Sequence, residues 1–236
     1  MGKAAQQALT DAGKRLAMLA DEDSAVAEAF RALRTNLRFN PALGMGSGSG
    51  RAVLLADAGG VPERAQAVAN LGVAFAKAGE RTVLVDAHLR PATTNTVSET
   101  TLSALFGQAD AAVGLGAAVQ GPEGGRKVLL PLVETEIPGL LLLPAGPRVA
   151  NPADLLGADA FAALVAALRA EAEVVLFDAP PVVAFADARA IAARVDGTLL
   201  LVAQDTTRRP QAQAALAALR QVGATVLGVV LTEARE

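Results

Sequence analysis

Short, unbroken apolar runs punctuate this chain at 52–56, 82–86, 139–143, 173–178, 198–202 and 225–231. Between them lie stretches with helical character, at 62–78, 101–107, 159–171, 186–194 and 208–222. A run that is apolar throughout needs cover on both faces, as a strand in a parallel sheet has. The alternation therefore predicts an α/β fold, a doubly wound, mostly parallel sheet with helices on both faces. The chain before the first run is different. Residues 1–40 read as helical, with a restart at Ser24 running to about Phe39, and residues 41–50, PALGMGSGSG, read as a flexible linker. The expected organisation is an N-terminal helical segment with its linker over 1–50 and one α/β domain over 51–236. Residues 108–136 are Gly-rich and poorly patterned, and read as a surface excursion.

Composition narrows the class. A chain of 236 residues, 52% hydrophobic and 19% charged, can bury a core and folds rather than staying disordered. The apolar excess is largely alanine, and no run approaches the roughly 18 residues of a membrane span. A net charge of −3 gives no electrostatic reason to expect nucleic acid. There is no Cys, so disulfides, thiolate chemistry and Cys-ligated zinc are excluded, and a single His argues against a His-based metal site. No metal is expected. Residues 1–20 lack the pattern of a secretory signal, and Gln6 interrupts a myristoylation signal, so a cytoplasmic location is expected.

Ligands of doubly wound sheets sit beyond the carboxyl ends of the strands. The first strand runs into Asp57-Ala58-Gly59-Gly60, and a helix starts near Pro62. A phosphate-binding loop at that place has the form G-x-x-x-x-G-K-[ST], with Lys for the phosphates and a hydroxyl for Mg²⁺. Here Glu63-Arg64-Ala65-Gln66 stands where G-K-[ST]-T would. The second strand ends at Asp86 and continues Ala87-His88-Leu89-Arg90-Pro91, and the strand VVLFD ends at Asp178. An Asp closing an apolar strand is a common device for holding Mg²⁺ or water beside bound phosphates. It can equally cap the next helix. Two such residues beside a Gly-containing first turn favour a nucleotide-type site.

These segments resemble the bacterial tyrosine kinases of capsule and exopolysaccharide export, relatives of the ParA/MinD ATPases. The resemblance spans roughly residues 21–232. Glu28-Ala29-Phe30-Arg31-Ala32-Leu33-Arg34 matches the family's E-x-x-R-x-x-R motif. VLVDAHLRP matches its Walker A′ segment, and LPAGPRVANPADLLGADAF its LPAG…PNPxELL stretch. VVLFDAPPVVAFADA matches its Walker B segment, and DGTLLLV and VLGVVL match its last two strands. What the resemblance implies is a nucleotide site around Gly59, Gly60, Arg64, Ala65, Asp86, Arg90 and Asp178. It also implies a self-association helix carrying Glu28, Arg31 and Arg34. From spacing alone those three share one helix face, and intrahelical salt bridges are the favoured account of them; the resemblance turns the preference to a subunit contact.

The departures are as informative as the matches. The family's Walker A Lys falls on Arg64, its hydroxyl on Ala65 and the preceding Gly on Glu63. Pro62 has no N–H to offer. Glu63 sets a carboxylate at a helix N-terminus where a phosphate would sit, and one such repulsion at about 4 Å is worth roughly 4 kcal/mol at an effective dielectric near 20. His88 stands in place of the second Walker A′ Asp and reads as a polar loop residue. The family's Tyr-rich tail has no counterpart, because the chain contains no Tyr at all.

Asp86 and Asp178 therefore read as vestiges of a catalytic site, with no cofactor expected. The leading expectation is a pseudokinase-like cytoplasmic subunit. As the resemblance implies, it would dock on the cytoplasmic tail of a membrane polysaccharide copolymerase, sit peripherally at the inner membrane and form a homo-oligomer. The alternative is a divergent ATP- and Mg²⁺-dependent kinase or ATPase using Arg64, Asp86 and Asp178. A weaker alternative is a ParA/MinD-like positioning protein.

Overall fold

The computed structural model describes residues 16–43, 50–90, 101–121, 129–204 and 206–232. The start of the N-terminal helical stretch, most of the Gly/Ser linker, Pro91, part of the 108–136 stretch and the last four residues lie outside the described residues. Among the described residues, seven strands form one sheet in the order β3-β4-β2-β5-β1-β6-β7. They are β1 (Arg51–Asp57), β2 (Thr82–Asp86), β3 (Val133–Glu134), β4 (Leu140–Leu143), β5 (Val174–Asp178), β6 (Gly197–Ala203) and β7 (Val226–Thr232). All neighbours pair in parallel except β3, which runs antiparallel to β4. The doubly wound expectation holds, and the central strands β2, β5 and β1 are apolar on both faces for the reason given above. Each returns to the sheet through a helix, as a parallel connection must.

One face is covered by α1 (Ala17–Ala20), α2 (Ala25–Arg38) and α3 (Arg64–Lys77), followed by the short α4 (Leu102–Leu105). Ser24 caps α2 by accepting a hydrogen bond from the Ala27 amide at 3.2 Å, so the helix restarts at Ser24. The α3 helix is buried along almost its whole length, from Arg64 to Ala76 with only Gln66 partly exposed. Its small residues, Ala65, Ala69, Gly72 and Ala76, let it lie between the sheet and α2. A Cβ at Gly72 would come within 2.6 Å of the Leu84 side chain. Asn70 ties α1 to this layer, accepting from the Met18 amide at 3.0 Å.

The other face carries α5 (Leu115–Gln120), α6 (Pro152–Gly157), α7 (Asp159–Glu171), α8 (Asp187–Ala192) and α9 (Arg209–Gln221). Its core includes Phe161 against Phe177, edge to face at 6.0 Å between ring centres. The 108–136 stretch is not wholly a surface excursion. Leu115, Ala118 and Val119 are buried and face this core. The helix is missed because it is short and opens on Gly114, where a Cβ would lie 2.3 Å from the Pro144 carbonyl oxygen. At the far edge, β7 leaves Val229 and Leu231 each 61% exposed. No helix among the described residues is long and apolar enough to cross a membrane.

Candidate functional site

Three carboxylates converge where the central strands end. Asp57, Asp86 and Asp178 close β1, β2 and β5, and all are fully buried. Asp86 and Asp178 stand directly opposite each other in the β2–β5 register. The strand order puts β5 between β1 and β2, so residues far apart in sequence share one pocket floor.

Arg64 enters this floor from the first turn of α3. Its side chain is only 1% exposed, and its Nε donates to Asp178 Oδ1 at 2.6 Å. Its Nη1 lies 3.5 Å from Asp57 Oδ2. Burying a guanidinium is costly unless it is paired, and the two carboxylates supply the pairing. Asp57 does a second thing. Its Oδ1 accepts from the Gly59 amide at 2.6 Å, and its two oxygens accept from the Val61 amide at 3.3 and 3.2 Å. Loop amides of this kind are the groups that cradle a phosphate in a phosphate-binding loop. Here a side chain of the same loop takes two of them. Gly60 has φ +72°, the left-handed region that favours Gly, and is exposed. Ala65 is buried and brings no hydroxyl.

Asp86 is held by α4. The Ser103 amide donates to its Oδ2 at 2.8 Å and the Ser103 hydroxyl at 2.6 Å. The His88 amide donates to Oδ1 at 3.0 Å. Burial alone would raise the Asp86 carboxyl, but His88 and Ser103 together outweigh it and hold it well below the usual carboxylate range. Asp178 goes the other way. Its burial raises it above the ordinary value, and the attraction of Arg64 and His88 offsets this only in part. His88 is not a loop-surface residue, as the sequence alone suggests. Its side chain is 10% exposed, with Nδ1 3.4 Å from Asp86 Oδ1 and 3.6 Å from Asp178 Oδ2.

The structure brings Arg64, Asp86 and Asp178 together. It takes Arg90 elsewhere. That guanidinium forms a two-pronged ion pair with the buried Asp187, at 2.8 and 2.7 Å, and lies 4.8 Å from the centre of the Phe185 ring. Glu28, Arg31 and Arg34 lie on α2, on the outer side of α3. Arg31 pairs with Glu28 at 2.7 Å and also donates to the Glu22 carbonyl. Arg34 donates to the Ala74 carbonyl oxygen of α3 at 3.1 Å. At the far end of α3, Lys77 donates to the Met18 carbonyl at 2.8 Å and pairs with Glu22 at 2.6 Å. Reasoning from the sequence left Asp57 out of the site residues and read His88 as a polar loop residue. The signal for Asp57 was present, since it closes a strand just as Asp86 and Asp178 do.

No protein-family model matches the chain. It is 28% identical over 204 residues to the tyrosine-protein kinase YwqD of Bacillus subtilis, covering 86% of this chain and 79% of that protein. It is 27% identical over 210 residues to the tyrosine-protein kinase CpsD of Streptococcus agalactiae, covering 89% and 84%. Among solved structures, the chimerical protein CapA2B2 superposes with a TM-score of 0.77 at 25% identity, over 92% of this chain and 89% of that one. The BceF tyrosine kinase domain does so with a TM-score of 0.72 at 25% identity, over 97% and 87%. The MinD protein of Pyrococcus horikoshii, complexed with Mg-ADP, shares the fold alone, with a TM-score of 0.59 at 19% identity over 77% and 70%. The fold and the carboxylate-floored strand ends define a P-loop NTPase-like domain. Within that class, the chain is a relative of the bacterial tyrosine-protein kinases.

Proposed function

We propose that this chain is a non-catalytic, pseudokinase-like member of that family. In this reading it docks on the cytoplasmic tail of a membrane polysaccharide copolymerase and regulates capsule or exopolysaccharide polymerisation or export. The observation that carries the reading is Arg64, which pairs with Asp178 at 2.6 Å and approaches Asp57 at 3.5 Å. Mg²⁺ and nucleotide phosphates would need this volume, the Gly59 and Val61 amides, and a hydroxyl at position 65. The first is taken by a guanidinium, the amides by Asp57, and the hydroxyl is missing. The residues present do not fit Mg·ATP. The family likeness supports the partner, and the retained E-x-x-R-x-x-R face supports self-association. Calorimetric titration of the protein with Mg·ATP tests the reading. The expected result is no binding tighter than about 0.1 mM, near −5.5 kcal/mol. Micromolar binding would overturn it.

A second reading, a divergent kinase, draws on one observation. Asp86 and Asp178 keep their facing register. That reading requires ATP-dependent phosphorylation of a Tyr-containing partner tail that disappears in Asp178→Asn.

A further inference from the structure

Among the described residues of the pocket floor, Asp178 and His88 carry buried polar atoms without a hydrogen bond. Asp178 Oδ2 has no partner, because Arg64 takes only Oδ1. Both ring nitrogens of His88 are buried and likewise unpartnered. Orphaned buried polar atoms are uncommon, and each calls for a physical account. Of these, His88 Nδ1 lies near both Asp178 Oδ2 and Asp86 Oδ1. One ligand atom from each of Asp86, His88 and Asp178 lies within 4.8 Å of the others.

The separations discriminate between two accounts. His88 Nδ1 lies 3.4 Å from Asp86 Oδ1 and 3.6 Å from Asp178 Oδ2. Both exceed the roughly 2.7–3.2 Å of a good N–H···O bond. They match the edge of a coordination tetrahedron. With Zn–N and Zn–O bonds of about 2.0–2.2 Å, two ligands at the tetrahedral angle stand about 3.4 Å apart. The supporting shell is present too. Ser103 fixes Asp86 through Oδ2 and the His88 amide fixes it through Oδ1, while Arg64 fixes Asp178 through Oδ1 and leaves Oδ2 unpartnered. Ligating carboxylates are commonly held this way by outer groups.

We propose that Asp86, His88 and Asp178 form a nucleotide-independent site for a borderline divalent transition metal of the Zn²⁺ type, with a fourth position open to water. The imidazole sets the preference. Mg²⁺ favours octahedral oxygen ligands and gives up its waters reluctantly, whereas imidazole with carboxylate suits Zn²⁺ and its first-row neighbours. The site goes beyond the pseudokinase reading and does not depend on it, since no phosphate takes part.

The test is equilibrium dialysis and calorimetry of the untagged, chelator-treated full chain with ZnCl₂ alone, with no nucleotide present. The expected result is one ion per chain, unaffected by millimolar Mg²⁺, with a tetrahedral Co²⁺ spectrum on substitution. His88→Ala should weaken binding at least tenfold, and its side chain makes no hydrogen bond whose loss would unfold the protein. Ser103→Ala should weaken binding more mildly, since Asp86 is then held by one hydrogen bond fewer. Absence of stoichiometric uptake overturns the proposal, as does uptake that is equal in wild type and His88→Ala. Neither result bears on Mg·ATP binding, so failure of the two readings can be told apart.

Discussion

Arg64 and Asp178, separated by 114 positions in sequence, meet through a 2.6 Å Nε–Oδ1 contact with almost no exposure to solvent. The pair joins the first turn of α3 to the end of β5. It places a fixed positive charge where the loop meets the sheet.

The stability of that joint is measurable. Arg64→Ala should destabilise the protein by about 3–5 kcal/mol, because it leaves a buried carboxylate without its cation. Arg64→Lys should cost less, since the ammonium keeps the charge but loses the fork that approaches both Asp178 and Asp57. Urea unfolding with an unchanged denaturant slope would check both. Two variants no less stable than wild type would show that the guanidinium is dispensable to the fold.

Nucleotide affinity should respond to Asp57 as well as to the loop. The combined change Glu63→Gly, Arg64→Lys and Ala65→Ser restores the charge and the hydroxyl, but Gly59 and Val61 still donate to Asp57. Adding Asp57→Ser should then raise ADP affinity at least tenfold further, about 1.4 kcal/mol. Calorimetry on the folded triple and quadruple variants decides this. Equal affinities would mean that the loop amides are not the obstacle.

How far the sequence foretold this arrangement depends on the kind of signal. The strands at 82–86 and 174–178 were legible because both faces are covered and, after Thr82 in the first, every residue is apolar up to the closing Asp. The α5 helix was not legible, because Leu115–Gln120 is too short to establish a period and begins beside glycines. At the site, Asp86 and Asp178 were recognisable as strand-ending acids and Arg64 as the residue at the Lys position. That Arg64 turns inward depends on β5 lying beside β1, and one-dimensional pattern carries no such adjacency. His88 looked like a loop residue because its place beside the end of β5 depends on a strand adjacency far off in sequence.

Arg90 and Asp187 provide a separable test of structure. Asp187 is fully buried while the Arg90 side chain is 35% exposed, so the two halves of the pair should be unequal. Arg90→Ala should cost about 1–3 kcal/mol through the unsatisfied acid left behind. A double-mutant cycle with Asp187→Ala should return a coupling of about 0.5–3 kcal/mol. Coupling near zero would show that the two-pronged contact adds nothing beyond its parts.

Self-association and fold can be separated on α2. Arg34 donates to Ala74 O within the chain, so Arg34→Ala should lose about 1 kcal/mol in the monomer whatever the oligomeric state. Arg31 and Glu28 form a more exposed pair, of the type worth little to stability and weakened by salt. Sedimentation of wild type, Arg31→Ala and Arg34→Ala at low and high salt should show concentration-dependent oligomers that Arg31→Ala loses without a stability cost. Monomers at every concentration, with a partner tail present, would leave the face as an ordinary helix surface.

The Arg64 bridge also constrains the order in which this sequence can change. With Asp57 and Asp178 both buried against it, exchanging Arg64 first leaves acids without a matching cation, while exchanging either acid first leaves part of a guanidinium without its acceptor. Each single step goes downhill in stability before any combination regains it. Substitutions tolerated in close homologues at these positions should therefore fail when transplanted one at a time and succeed in sets, so that the history of the loop, and not only its chemistry, limits which variants are reachable.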